Sequence, residues 1–148
     1  MSGILGVGSK SGIIGSTEIP GGYETGDWTP VAGGGTGTLT LSNAGATYTK
    51  IGNIVHLSCY QGFSASGGNG DFIISGLPYA GVGGGGAGSI YCRNLNTALS
   101  GDGKYWSCIM AGAIYVRPGG EVTATYDARS NFDNGSSFWL EITYECAR

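Results

Sequence analysis

Apolar and polar residues alternate in short runs along most of this chain, and the runs are separated by glycine. The longest alternation is Phe138 to Cys146: Phe138, Leu140, Ile142, Tyr144 and Cys146 share one parity, and Trp139, Glu141, Thr143 and Glu145 the other. A period of two over nine residues is that of a strand with one buried and one wet face. Thr47–Ile51 and Ile54–Tyr60, joined at Gly52-Asn53, predict a hairpin. Further strands are expected at Thr38–Ser42, Asp71–Ser75, Ser89–Arg93, Lys104–Met110, Ala113–Arg117 and Glu121–Tyr126, with Gly81–Gly88 read as a glycine loop. No run has the 3.6-residue period of an amphipathic helix. About eight short strands at regular spacing predict an all-β fold, an antiparallel β-sandwich of jelly-roll-like type.

Residues 1–25 follow a different rule. Ile4, Leu5, Val7, Ile13 and Ile14 stand among glycine and serine without sustained alternation, so this segment cannot build its own core. It is either a flexible tail or an extended arm that orders on a partner. The aliphatic pairs favour the arm, because a simple linker has no use for them. The expected organisation is an extended N-terminal arm over 1–25 and a β-sandwich domain over 26–148.

Composition narrows the function classes. Glycine supplies 31 of 148 residues, but there is no Gly-X-Y period, so a collagen-like helix is excluded. Seven Lys/Arg against ten Asp/Glu, with no basic stripe, argue against a nucleic-acid partner. A charged fraction of only 11% leaves much neutral surface, as expected of a protein that packs against other subunits. No run is long and apolar enough to span a bilayer, and the N-terminal aliphatics are too interrupted for a secretory signal. The cysteines Cys59, Cys92, Cys108 and Cys146 are widely spaced within strand-like runs and read as thiols in apolar surroundings.

Candidate chemistry is sparse, and no cofactor or metal site is expected. Gly6–Ser11 has a lysine beside serines but lacks the glycine that must precede the lysine of a phosphate loop. His56 shares a strand face with Ser58 and Tyr60, yet no nucleophile elbow accompanies it. Asp71, Asp102, Asp127, Asp133, Glu141 and Glu145 offer carboxylates without a distinctive pairing. Asp127, Asn131 and Asp133 miss the calcium-loop spacing. Asn134-Gly-Ser136 reads as a tight turn. Trp106, Tyr115 and Trp139 are the candidate aromatics for a glycan or a subunit interface.

Three motifs occur in order: Gly26-Asp-Trp-Thr-Pro-Val31, Ala46-Thr-Tyr-Thr-Lys-Ile-Gly-Asn-Ile-Val-His-Leu-Ser58 and Ile74-Ser-Gly-Leu-Pro-Tyr79. Together they resemble a module of tailed-bacteriophage virion proteins, found in fibre, head-decoration and similar structural proteins. The resemblance spans Gly26 to Tyr79, and Met1–Gly15 resembles the short leader that precedes this module. It implies a non-enzymatic virion component, commonly a trimeric β-sandwich, with no catalytic residues to carry over. The brevity of the chain favours a homotrimeric capsid decoration (cement) protein or short head fibre. In that expectation Ile4, Leu5, Val7, Ile13 and Ile14 dock on the major capsid protein or another virion protein at the capsid surface. The alternative is a fibre-tip module that binds a receptor or a host-surface glycan.

Overall fold

The computed structural model describes residues 22–42, 44–65, 67–95, 106–110, 112–118, 130 and 132–147; side chains at 65, 83, 84, 106–110, 117 and 118 are outside this set. The described residues form ten strands and no helix: β1 Tyr23–Asp27, β2 Val31–Gly33, β3 Thr40–Leu41, β4 Gly45–Ile51, β5 Ile54–Ala65, β6 Phe72–Ser75, β7 Gly81–Arg93, β8 Trp106–Met110, β9 Ile114–Pro118 and β10 Ser137–Cys146. All pairings are antiparallel. The expected all-β sandwich is what the chain forms. The expected strand at Glu121–Tyr126, and Asp102, Asp127 and Asn131, lie outside the described residues.

The ladder runs β1-β4-β5-β10-β7-β8-β9-β6-β2, with β3 paired to the far end of β5. It curls so that β6 and β9 face β5 and β10. Phe72 of β6 meets Phe138 of β10 edge-on at 5.6 Å, and Phe132 lies 4.8 Å from both Phe63 and Phe72. Val55, Leu57, Leu140, Ile142, Ile74, Ile114 and Val116 fill the rest of the space between the layers. The parity read at Phe138–Cys146 is therefore the parity of burial: each of the five apolar positions points inward and Trp139, Glu141, Thr143 and Glu145 point out.

The hairpin turns where expected, with Ile51 paired to Ile54. Gly52 has φ 63°, the left-handed backbone required at the first central position of a type II′ turn. The Asn134-Gly-Ser136 stretch is also a tight turn: the Ser136 N–H donates to Asp133 O at 2.9 Å.

Two expectations need revision. Gly81–Gly88 is the first part of the 13-residue strand β7, not a loop. At Gly88, paired with Ile142, an added Cβ would lie 2.1 Å from Glu141 O and 2.7 Å from Ile142 Cα, so β10 can approach only because the side chain is missing. The sheet also begins before Gly26. Tyr23, Glu24 and Thr25, grouped above with the arm, pair with Ile51, Lys50 and Thr49.

Candidate contact face and adjoining cleft

The registers of β1, β4, β5, β10 and β7 align outward-facing side chains into rows across five strands. One row reads Asp27, Thr47, Ser58, Glu141, Ser89; the next reads Thr25, Thr49, His56, Thr143, Ala87. These polar rows lie between two apolar ones. On one side Tyr23, Ile51 and Ile54 are neighbours, with fractional exposures of 64%, 48% and 44%. On the other, Gly45, Tyr60, Trp139 and Tyr91 are neighbours, and the three aromatics are exposed.

The rings in that row stand like plates in a rack. Tyr60 stacks on Trp139 with centroids 4.3 Å apart and planes 27° apart, and Tyr91 leans on Trp139 at 5.5 Å. Tyr60 thus covers one face of the indole, and Tyr91, tilted by 47° to it, is 64% exposed.

In the polar rows, His56 Nδ1 lies 3.0 Å from Thr143 Oγ1, and Nε2 lies 3.6 Å from Glu141 Oε2. Ser58 Oγ donates to the other Glu141 oxygen at 3.5 Å. Both His56 ring nitrogens are engaged by β10, so the imidazole is not aimed at the Ser58 hydroxyl as the base of a Ser–His pair would be. Among the described residues, no group of three His, Cys, Asp or Glu is arranged to hold a metal ion.

On the opposite side of β1 and β4, Glu24 accepts hydrogen bonds from Tyr48 Oη and Tyr79 Oη, both at 2.5 Å. The two rings meet edge to face at 5.8 Å, and Lys50 Nζ sits 5.3 Å from the Tyr79 ring centre. The bonds from Tyr48 and then Tyr79 hold the Glu24 carboxyl below its ordinary 4.5. The same bonds raise both phenols above their ordinary 10.0. Tyr144 Oη donates to Tyr79 O at 2.8 Å, so the clasp is tied to β10; burial pushes the Tyr144 phenol up to about 12. Burial likewise pushes the free Cys92 thiol up to about 12, and Cys146 is a free, buried thiol.

Where β1 ends, the Trp28 N–H donates to Ala46 O at 3.1 Å and the chain turns through Thr29 and Pro30 toward β2. A cleft of about 340 Å³ lies between the 27–30 segment and Gly45, Ala46 and Gln61. Two residues beside it each bury a polar side-chain atom that has no hydrogen-bond partner, Trp28 Nε1 and Gln61 Oε1. Gln61 is 1% exposed and Trp28 7%. Gln61 is otherwise held by one long bond, Nε2 to Gly45 O at 3.4 Å.

Comparison with solved structures finds the same fold elsewhere. The chain is similar to the Dettilon tailspike protein (gp208), with a TM-score of 0.67 and 24% identity over 84% of this chain and 24% of that one. The fold is shared. This chain spans about a quarter of the tailspike's length. No protein-family model matches the chain, and no curated protein matches it.

The candidate aromatics do not form one group. Trp139 is the centre of the exposed row, whereas Tyr115 is half-buried on β9, paired with Ile73 and Ile109. Trp106 pairs with Pro118 through its backbone at the end of β8. The arm residues Ile4, Leu5, Val7, Ile13 and Ile14 lie outside the described residues. Missing from the sequence reading were Tyr91, Glu24 and Gln61. Tyr60 was signalled by its shared parity with His56 and Ser58, but only the register puts it against Trp139.

Proposed function

We propose that this chain is a non-enzymatic structural module of a bacteriophage virion that works by contact, as a homotrimer packed through the outer face of β1-β4-β5-β10-β7. The carrying observation is that face itself, with an exposed aromatic row and an exposed aliphatic row bracketing polar ones. Exposed aromatic and aliphatic side chains on one face suit burial against another copy of the chain. The three sequence motifs support the virion setting, and so does a fold shared with a chain described as a tailspike.

The test is the mass of the purified chain by light scattering, before and after the double substitution Trp139→Ser, Tyr91→Ser. The expected result is a trimer that falls to monomers with the circular dichroism of the sheet unchanged. A monomeric native chain, or a trimer indifferent to the substitutions, overturns the outer face as the subunit contact.

A further inference from the structure

The ladder ends at β1, whose outer edge pairs with no other strand among the described residues. The Gly52 N–H donates to Gly22 O and the Trp28 N–H to Ala46 O, so the backbone groups of Gly22 and Trp28 turn toward β4. The direction alternates along an antiparallel ladder, so Glu24 and Gly26 also bond β4, opposite Lys50 and Tyr48. The N–H and C=O groups of Tyr23, Thr25 and Asp27 therefore point out of the sheet, and all three residues are exposed. Open edges are ordinarily guarded by lysine, proline or a bulge, and β1 has none of these along its five paired residues. Its mid-strand acid, Glu24, is held by Tyr48 and Tyr79. The other end of the ladder differs, since β2 is three residues long and follows Pro30 directly.

We infer that β1 is a pairing edge for a second copy of this chain, β1 against β1, antiparallel about a two-fold axis through Thr25. In that register Thr25 faces its own counterpart and Tyr23 faces Asp27 of the other copy, so every outward N–H and C=O meets a partner. The side chains agree with it. Asp27 lies opposite a tyrosine and Glu24 opposite Gly26, so no carboxylate faces a carboxylate, and Thr–Thr is a favourable cross-strand pair. Gly26 presents nothing to obstruct Glu24, because the Tyr48 ring fills its place, 2.8 Å from where a Cβ would lie. An axis through Glu24 would set the two Glu24 side chains against each other, and a slip of one residue would aim outward groups at groups already bonded to β4. Pairing also continues the outer face across the junction, since the row Thr25, Thr49, His56, Thr143, Ala87 runs on into the same row of the second copy. The inference goes beyond the trimer and does not rest on it: Trp139 and Tyr91 are on β10 and β7, with β4 and β5 between them and β1. An edge this short falls below the ~1,200 Å² of a stable interface, so the contact forms at about 0.1–1 mM and not in dilute solution. It serves to join copies side by side where they are crowded and many such contacts add.

The experiment is amide hydrogen exchange by NMR on the full ¹⁵N-labelled chain at about 0.02 and about 1 mM, with sedimentation velocity at both concentrations. The Tyr23, Thr25 and Asp27 amides should exchange at least about tenfold more slowly at the higher concentration. Those of Glu24 and Gly26, bonded to β4, should be protected equally at both. Thr25→Lys sets two ammonium groups against each other, and Thr25→Pro removes an N–H that β4 does not use. Each should abolish the concentration dependence while leaving the circular dichroism of the sheet and the mass in dilute solution unchanged. Fast exchange of Tyr23, Thr25 and Asp27 at the higher concentration, or a concentration dependence that survives Thr25→Lys, overturns the inference. So does equal protection of these amides at both concentrations, which would give the edge to another segment of the same assembly. A dilute mass that falls on Thr25→Lys overturns it too, because the edge would then belong to the trimer contact.

Discussion

Glu24, Tyr48, Lys50 and Tyr79 give a physical reason for residues that otherwise look like decoration of a motif. Tyr48 and Tyr79 are 31 residues apart in sequence yet share one carboxylate, which ties edge strand β1 to β4 and to the segment after β6. The pH dependence follows from the directions of the shifts. The folded Glu24 value is lowered, so its contribution is present above the ordinary 4.5 and is lost as pH falls through the folded value. The Tyr48 and Tyr79 values are raised, so their contribution is full below the ordinary 10.0 and is lost as pH rises through the folded values. Glu24→Gln should therefore lower the urea midpoint at neutral pH and flatten its fall at both extremes, measured at about pH 3, 7 and 11. An unchanged pH profile would show that the clasp contributes nothing. Tyr48, Lys50 and Tyr79 were visible in the sequence as motif residues, but their meeting point was not. Glu24 lies in a segment whose alternation is too short to separate strand from arm.

Strand β7 shows why part of the architecture was hidden. A glycine run has no side chains to alternate, so the period-two signal that exposed β10 vanishes in its neighbour, although the two are paired from Arg93 to Gly81. The strand is held by its partner's pattern and not by its own propensity. Gly88→Ala should force Glu141 O and Ile142 away and destabilise the domain by about 2–4 kcal/mol, read as a lower denaturation midpoint with the slope preserved. A loss below about 0.5 kcal/mol would mean that β7 does not approach β10 so closely. The hairpin, by contrast, was legible because its turn residues and both flanking alternations agree. Gln61 has the inward parity of Val55, Leu57, Cys59 and Phe63, so its burial was legible in β5, but its place beside the 27–30 segment and Gly45 was not.

The described residues form a curled ladder with an aromatic and aliphatic interior and an outer face of exposed side chains across β1-β4-β5-β10-β7. Because β1 starts at Tyr23, deletion of residues 1–20 removes nothing from the described sheet. The truncated chain should keep its unfolding midpoint and its trimer while losing attachment to the particle, as measured by its occupancy on purified virions. Wild-type occupancy would remove any attachment role from Ile4, Leu5, Val7, Ile13 and Ile14. The alternation predicted a two-faced sheet and composition predicted a surface low in charge. Which side chains share the outer face of the described sheet required the register of five strands. The most direct measurement is the position of this chain in a cryo-electron microscopy map of the intact virion. The proposed function predicts density on the particle as three copies around an axis, with Trp139 and Tyr91 against neighbouring copies. Absence from the particle, or an outer face turned to solvent in every copy, would contradict it.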